Sequence, residues 1–314
     1  MDLIGRSPVF LAATRSLARI ARFDVPVLIQ GETGTGKELA ARVVHYQSAR
    51  GHRPFIPVNC GALPETLVEN ELFGHERGAY TDARHSTPGV VALADCGTLF
   101  LDEIDALSPK AQVTLLRFLQ DQRYRPLGAP TDRVANVRIV AATNRNLEQL
   151  VERDEFRSDL LFRIKVLFVD LPPLRHRAGD ATLLAEHFMV KCAERFQQPR
   201  KSLGSATEQW LEQYQWPGNV RELENLILRT TLMTEGHELV VAGADPAVTA
   251  RSSAASYAAA KAAALAEFDL RFLRELLTRA SGNVTRAAAA AGKDRRSFGR
   301  LIKKYGLRAL DFRR

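Results

Sequence analysis

One stretch near the N-terminus constrains this chain most: Gly31-Glu32-Thr33-Gly34-Thr35-Gly36-Lys37. The apolar run Val25–Ile29 before it predicts a buried strand, and Glu38–His45 after it has helical spacing and good helix formers. A glycine-rich loop that ends in lysine, between a strand and a helix, is typical of a P-loop, whose backbone N–H groups and lysine surround phosphate oxygens. The sequence therefore predicts a site for the phosphates of a nucleotide.

Acidic and amide side chains follow other apolar runs of the same segment. The run Thr98–Leu101 is expected to be a strand, and it ends in Asp102 and Glu103. Beside a P-loop, Asp102 is expected to hold Mg²⁺, directly or through water, and Glu103 to activate a water molecule. Asn59 and Asn144 also end strands, where an amide can position water near a γ-phosphate, and a turn-forming asparagine is the alternative.

Two arginines six residues apart, Arg157 and Arg163, carry planar and permanently charged groups. Such groups are suited to stabilising the charge of phosphoryl transfer, often from a neighbouring subunit. Surface ion pairing is the alternative, and the spacing alone does not exclude it.

The chain up to about Leu171 alternates strands and helices, which predicts an α/β fold: a parallel sheet with helices on both faces and the ligand at the carboxyl ends of the strands. The run Leu171–Leu174, with two prolines, interrupts this alternation. Residues 1–171 are therefore expected to form the first domain and residues 172–239 an all-helical second domain. Residues 240–265 are rich in alanine and serine and predict a linker.

The net charge of +8 is concentrated in residues 266–314, which contain 13 Lys or Arg and 5 Asp or Glu residues. Three helices are predicted there, Phe268–Leu277, Asn283–Ala291 and the basic Arg295–Lys304, with a turn at Gly292-Lys293-Asp294. The pattern fits an all-α helix-turn-helix whose last helix enters the major groove of double-stranded DNA, and a solvated basic tail is the alternative. The expected DNA contacts are Arg295, Arg296, Ser297, Arg300, Lys303 and Lys304.

The remaining composition indicates a cytoplasmic protein. No apolar run is long enough to span a membrane, and the first residues lack the pattern of a signal peptide. Cys60, Cys96 and Cys192 are far apart and lack the spacing of metal ligands, so reduced thiols are expected.

Several longer motifs in fixed order resemble one known family across essentially the whole chain. The chain is similar to the bacterial enhancer-binding proteins, the AAA+ ATPases that activate sigma-54 RNA polymerase. The matching runs, besides Gly31–Glu38, are Glu71–Glu76, Gly97–Ile104, Leu171–Arg175 and Trp216–Leu223. The C-terminal unit resembles the Fis-type helix-turn-helix of that family.

The resemblance implies roles around the P-loop, with ATP and Mg²⁺ as the bound species. Gly31–Lys37 would be the Walker A motif, and Asp102 with Glu103 the Walker B motif. A serine or threonine usually follows the P-loop lysine, but Glu38 is the usual residue in this family. Asn59 would hold Glu103 until ATP is in place.

The resemblance also implies an assembly. Asn144 would be sensor I, and Arg221, in a helical lid formed by the second domain, would be sensor II and contact the nucleotide. Arg157 and Arg163 would act in trans as arginine fingers, which implies a homo-oligomeric ring of six or seven subunits. Dimers of the C-terminal unit would bind enhancer DNA on a two-fold site, which places the protein on the nucleoid.

The loop that contacts sigma-54 departs from the family pattern. The family has Gly-Ala-Phe-Thr-Gly-Ala, whereas this chain has Gly78-Ala79-Tyr80-Thr81-Asp82-Ala83. Tyr80 keeps the aromatic ring, but Asp82 loses the access of glycine to positive φ and adds a negative charge. Two functions stay open: an ATP-driven activator of sigma-54 RNA polymerase, and a DNA-binding regulator that does not activate sigma-54. The sequence begins at the AAA+ domain, so control is expected in trans or from a part of the protein that precedes it.

Overall fold

The computed structural model describes residues 3–64, 67–80, 83, 85–241, 272–273, 276–278, 280, 282–292, 294–305 and 307. The chain divides into two compact units, residues 1–242 and 243–314, each with a hydrophobic core of its own.

A five-stranded parallel sheet forms the centre of the first unit. The strands of this unit are β1 (Val27–Gln30), β2 (Phe55–Asn59), β3 (Gly74–His75), β4 (Thr87–Pro88), β5 (Thr98–Asp102), β6 (Arg123–Tyr124), β7 (Arg133–Val134), β8 (Arg138–Thr143), β9 (Leu167–Asp170), β10 (Ser202–Leu203) and β11 (Glu238–Leu239). The central sheet has the order β2-β5-β8-β1-β9, and all its neighbouring strands are parallel. The predicted α/β fold is confirmed, and β1 begins at Val27, after Pro26, because proline cannot donate to a ladder of hydrogen bonds.

Side chains of the central strands alternate between two hydrophobic cores, one on each face of the sheet. In β1, Leu28 points to one core, whereas Val27 and Ile29 point to the other. In β5, Leu99 and Leu101 share the first core and Phe100 belongs to the second. A strand that is buried on both faces explains why these segments read as continuous apolar runs.

Helices cover both faces of the sheet. They are α1 (Pro8–Ala21), α2 (Lys37–Tyr46), α3 (Val68–Phe73), α4 (Val90–Leu93), α5 (Pro109–Asp121), α6 (Leu147–Glu152), α7 (Ser158–Ile164), α8 (Asp180–Phe196), α9 (Ser205–Gln213) and α10 (Asn219–Met233). Helix α5 begins at Pro109, because Ser108 accepts a hydrogen bond from the Ala111 N–H and proline suits the first helical position. Among the helices in the described residues, none is long and apolar enough to cross a membrane.

Three segments contain short strands that the sequence did not predict. The strands β6 and β7, which follow α5, pair antiparallel. The helical second domain, made of α8, α9 and α10, also contains the pair β10 and β11. The polar loop that starts at Gly74 is closed at its base by β3 and β4, which pair antiparallel. Two-residue strands leave too short an alternation of side chains to be visible in a sequence.

Among the described residues of the second unit, α11 spans Val284–Ala290 and α12 spans Arg295–Lys304. Asn283 caps α11 by accepting hydrogen bonds from the N–H groups of Thr285 and Arg286. Apolar side chains of both helices pack together with part of the segment before them. The buried residues of this core are Leu273, Leu276, Leu277, Ala287, Ala288, Phe298 and Ile302. Most of the predicted helix at 268–277 and the whole linker after Val241 lie outside the described residues.

Candidate active site

The P-loop connects β1 to α2, as its sequence predicts. Gly34 and Gly36 have φ angles of +82° and +96°, which an L side chain rarely adopts. The Nζ atom of Lys37 folds back on the loop and donates to the carbonyl oxygens of Gly31, at 2.9 Å, and Glu32, at 3.3 Å. Burial lowers the pKa of Lys37, and the nearby carboxylates Asp102, Asp105 and Glu103 oppose this effect. The loop thus presents a cation on a tightly turned backbone.

Asp102 is the last residue of β5, which pairs with β8, and β8 in turn pairs with β1, the strand that leads into the P-loop. Burial raises the pKa of Asp102, while the charge of Lys37 favours its ionised form. Asp105, a carboxylate that sequence reasoning missed, accepts a hydrogen bond from the Thr143 Oγ1 at 2.6 Å. In the sequence, Asp105 is only the third acidic residue in the segment Asp102–Asp105, and nothing there indicates its contact with Thr143.

Glu103 has a φ angle of +53°, so the chain turns sharply where β5 ends. Its carboxylate lies against Gly61, because a Cβ atom on Gly61 would be 2.7 Å from the Glu103 Oε2 and 3.2 Å from the Asn59 Oδ1. The Asn59 Oδ1 accepts a hydrogen bond from the Gly61 N–H at 2.8 Å. The structure therefore brings Asn59 and Glu103 to one glycine, and the amide of Asn59 bonds to that backbone.

Asn144 follows β8 and reaches the P-loop. Its Nδ2 donates to the Thr33 Oγ1 at 3.1 Å. The neighbouring strand end and the phosphate loop are thus in direct contact, as expected from the parallel sheet, whose strands end at one edge.

The helical second domain contacts the P-loop through the first turn of α10. The Val220 N–H donates to the Gly34 carbonyl at 3.0 Å, and the Asn219 Nδ2 donates to the Thr33 carbonyl at the same distance. The Cβ of Arg221 is 3.2 Å from the position that a Cβ on Gly34 would take. Arg221 thus lies beside the P-loop, on the helix that covers it, and its side chain is exposed.

An apolar cleft of about 250 Å³ opens beside the P-loop, and sequence reasoning missed it. Leu3 and Ile4, ahead of α1, form one side, and Leu184 and Val220 of the helical domain form another. Thr35 and Gly36 of the loop also line it. These apolar residues come from distant parts of the chain, so only the fold shows that they share a cleft next to the phosphate site.

The two predicted arginine fingers have different surroundings. Arg157 is 47% exposed and donates to Asp159, with its Nη2 2.7 Å from the Oδ2. Arg163 donates from Nε to the Leu119 carbonyl and from Nη2 to the Gln120 carbonyl, at 3.1 and 3.0 Å. Both arginines are exposed, but Arg163 also closes the C-terminal end of α5, whereas Arg157 pairs with Asp159.

In the predicted sigma-54 loop, the structure describes Gly78, Ala79, Tyr80 and Ala83. The Gly78 N–H donates to the Ala83 carbonyl at 2.8 Å, and the Ala83 N–H donates to the Tyr80 carbonyl at 2.9 Å. Tyr80 is 47% exposed, and its ring centroid is 5.1 Å from that of His75. Ala79 belongs to the same turn, and Thr81 and Asp82 lie outside the described residues.

The predicted DNA-binding residues lie on α12. Asp294 caps this helix by accepting from the N–H groups of Arg296 and Ser297. Arg295, Arg296 and Arg300 are exposed and Ser297 is half-buried, while Lys303 and Lys304 belong to the last turn.

Two protein-family descriptions match the chain. The description "Sigma-54 interaction domain" matches residues 3–170, and "AAA+ ATPase lid domain" matches residues 175–261.

Two regulatory proteins and a solved structure are similar to three quarters or nearly all of this chain. The transcriptional regulatory protein GlrR of Escherichia coli (strain K12) is 41% identical over 312 residues, which are 99% of this chain and 69% of that protein. A Nif-specific regulatory protein of Azotobacter vinelandii is 47% identical over 233 residues, 74% of this chain and 44% of that protein. The crystal structure of NtrX from Brucella abortus in complex with ATP has a TM-score of 0.74 and 31% identity, covering 98% of this chain and 70% of that one.

Proposed function

The chain belongs to the sigma-54 interaction domain family of AAA+ ATPases, and from this membership we propose that it couples the hydrolysis of ATP to ADP and phosphate to bacterial transcription. The observation that carries this proposal is the meeting of Lys37, Asp102 and Asn144 at the P-loop. A cation, a carboxylate and an amide at one strand edge are the groups that phosphoryl transfer uses.

Each group has a defined task in this proposal. Lys37 exchanges its bonds to loop carbonyls for bonds to the outer phosphates of ATP. Glu103 accepts a proton from the attacking water, and Asn144 orients that water. Arg221, on the helical lid, contacts the phosphates from the other side. The apolar cleft that includes Leu3 accepts the base of the nucleotide.

Mg²⁺ fits the carboxylate end of this site. Within the part of the chain that the structure describes, no group of three or more His, Cys, Asp or Glu side chains is arranged to hold a metal. Mg²⁺ usually takes one or two protein carboxylates and completes its shell with phosphates and water. We therefore assign Asp102 as its protein ligand, directly or through water, and the ion would neutralise charge on the phosphates.

Arg157 completes the site from a neighbouring subunit in a ring of identical chains. Arg157 is at the surface in a separate cleft, lined by α5 and by the segment from Val151 to Asp159. An exposed arginine in a cleft that does not include the phosphate loop of its own chain suits an arginine finger that acts in trans.

The test of the ATPase is hydrolysis by purified variants. We expect Lys37→Ala to lose ATP binding and Asp102→Ala to bind ATP but to lose turnover, because the metal then lacks its ligand. Exposed Gln209→Glu on α9 serves as a control and keeps wild-type turnover. Normal turnover in Asp102→Ala would refute the proposed site.

The hydrolysis drives remodelling of sigma-54 RNA polymerase in the bacterial cytoplasm, and the C-terminal unit places the ring on enhancer DNA. The concentration of the +8 net charge in residues 266–314 supports the DNA role. A gel shift with and without residues 266–314 tests it, and DNA binding that is unchanged by the deletion would argue against it.

Asp82 favours a second candidate, a DNA-bound regulator that uses ATP without activating sigma-54. A carboxylate replaces the glycine of the family's loop, so the contact with sigma-54 can fail while the ATP site stays intact. The deciding experiment is open-complex formation on a sigma-54 promoter by the wild type and by Asp82→Gly. Activity of the wild type supports remodelling, and activity of Asp82→Gly alone supports the second candidate.

A further inference from the structure

We propose that Asn219 and Arg175 of the lid are positioning residues of the ATP site, which hold the phosphate loop in its binding shape through Glu32. The inference rests on the proposed ATP site and adds a requirement to it: tight ATP binding needs the lid docked on the loop. Both residues lie in motifs of the lid, far from the P-loop in sequence.

Glu32, the second residue of the P-loop, is held by both residues at once. Arg175 donates from Nη1 to the Glu32 Oε2 at 2.8 Å and from Nη2 to Oε1 at 2.5 Å, a bidentate pair. The Asn219 Nδ2 donates to the same Oε2 at 3.1 Å. These hydrogen bonds, led by those of Arg175, lower the pKa of Glu32 to about 2, so the pair is charged at neutral pH.

Asn219 is the residue that joins the contacts. It is fully buried, and its amide uses both ends: the Nδ2 donates to Glu32 and to the Thr33 carbonyl, and the Oδ1 accepts from the Leu174 N–H at 2.8 Å. Its φ of +52° suits asparagine better than most other side chains. A side chain with one acceptor and two donors is therefore matched to this position.

These contacts act on the shape of the phosphate loop. The carbonyl and N–H of a planar trans peptide point in opposite directions. The donor on the Thr33 carbonyl therefore turns the Gly34 N–H away from the lid. The Val220 N–H on the Gly34 carbonyl likewise turns the Thr35 N–H inward, where it donates to the Glu32 carbonyl at 3.3 Å and closes the turn. Two consecutive peptides of the loop are thus oriented by the lid.

The phosphate loop and the lid are packed against each other without a gap. A Cβ on Gly34 would be 2.2 Å from the Gly218 carbonyl oxygen, so the two backbones are in direct contact. Trp216, which starts this turn, is also buried with a φ of +48° and donates from Nε1 to the Leu211 carbonyl at 2.8 Å. The turn that carries Asn219 is therefore fixed by its own domain and can act as a support.

The test is Asn219→Asp, which keeps the size, the acceptor for Leu174 and the tolerance of positive φ. It removes both donors and sets a carboxylate against Glu32. We expect the Kd for ATP and the KM to rise roughly tenfold or more, with kcat at saturating ATP within about twofold of the wild type. Gln209→Glu, the same amide-to-acid change at an exposed lid position, is the matched control and leaves Kd unchanged.

A second substitution separates positioning from damage to the fold. Glu32→Gln in the Asn219→Asp background removes the like charges and returns a donor between the two positions. We expect the double variant to bind ATP more tightly than the summed losses of the two single variants would give. Thermal unfolding without nucleotide checks that every variant is folded.

The outcomes distinguish the inference from the function on which it rests. If Asn219→Asp binds ATP as tightly as the unchanged protein does, or if the losses of affinity are additive in the double variant, the positioning role is overturned. The proposed ATP site itself still stands in that case, provided that the unchanged protein binds ATP. If the wild type binds ATP no better than Lys37→Ala, the ATP site itself is refuted.

Discussion

The carboxylate of Glu103 and the amide of Asn59 share the space above one glycine, Gly61. The distance of 2.7 Å between the Glu103 Oε2 and the place of a Cβ on Gly61 leaves no room for a methyl group. The turn at Glu103, with its positive φ, aims the carboxylate at this spot. Gly61, which has no side chain, therefore leaves the space in which the carboxylate of Glu103, the proposed base, is placed.

We predict that Gly61→Ala lowers kcat for ATP hydrolysis by roughly tenfold or more, because displacement of a catalytic group by about 1 Å has effects of this size or larger. The KM for ATP stays near the wild-type value, since the P-loop is untouched. The clash falls on the flexible end of a side chain, so the melting temperature changes little. Gly236→Ala, where a Cβ meets nothing within 4 Å, is the control. Unchanged kcat in Gly61→Ala would show that Glu103 is not placed by this contact.

At the scale of elements, α7 carries two arginines with separate tasks. Arg157 precedes the helix, and its backbone N–H donates to the buried Gln112 at 2.9 Å. Arg163 is in its last turn and closes α5 by donating to two terminal carbonyls. Arg163 thus joins two helices, whereas the side chain of Arg157 pairs only with the exposed Asp159 in the contacts described above.

We predict that Arg163→Ala lowers the free energy of unfolding by about 1 kcal/mol, the usual worth of hydrogen bonds and charge at a helix C-terminus. Arg157→Ala abolishes turnover without a measurable change in melting temperature, because its ion pair with Asp159 is exposed. Urea unfolding of both variants distinguishes them. A destabilised Arg157→Ala beside an unaffected Arg163→Ala would reverse the assignment.

The same scale shows what the sequence could predict. The apolar runs Val25–Ile29 and Thr98–Leu101 predicted β1 and β5 to within about two residues, because strands buried on both faces are continuous apolar runs. The spacing of Gly31–Lys37 predicted the P-loop. The pairing of Glu32 with Arg175 joins residues 143 positions apart, and no local pattern indicates it. The cleft at Leu3 escaped prediction for the same reason, since its apolar residues have ordinary places in their own segments.

At the scale of the whole molecule, charge and chemistry are divided between the two units. Residues 266–314 carry the whole net charge, and the P-loop, the carboxylates and the lid belong to the first unit. One chain holds a phosphate loop and a surface arginine in different clefts. Under the proposed function, a complete site needs two chains, and activity depends on their association.

Mixing two inactive variants tests this claim most directly. Asp102→Ala keeps Arg157 but lacks the proposed Mg²⁺ ligand in its own site, and Arg157→Ala keeps that carboxylate and the phosphate loop but lacks the arginine. In a mixed ring, an Arg157→Ala subunit can receive the arginine of an Asp102→Ala neighbour. ATP hydrolysis measured across mixing ratios is predicted to exceed that of either variant alone and to peak near equal amounts. Hydrolysis that stays at the level of the single variants at every ratio, while size measurements show mixed rings, would contradict the shared site.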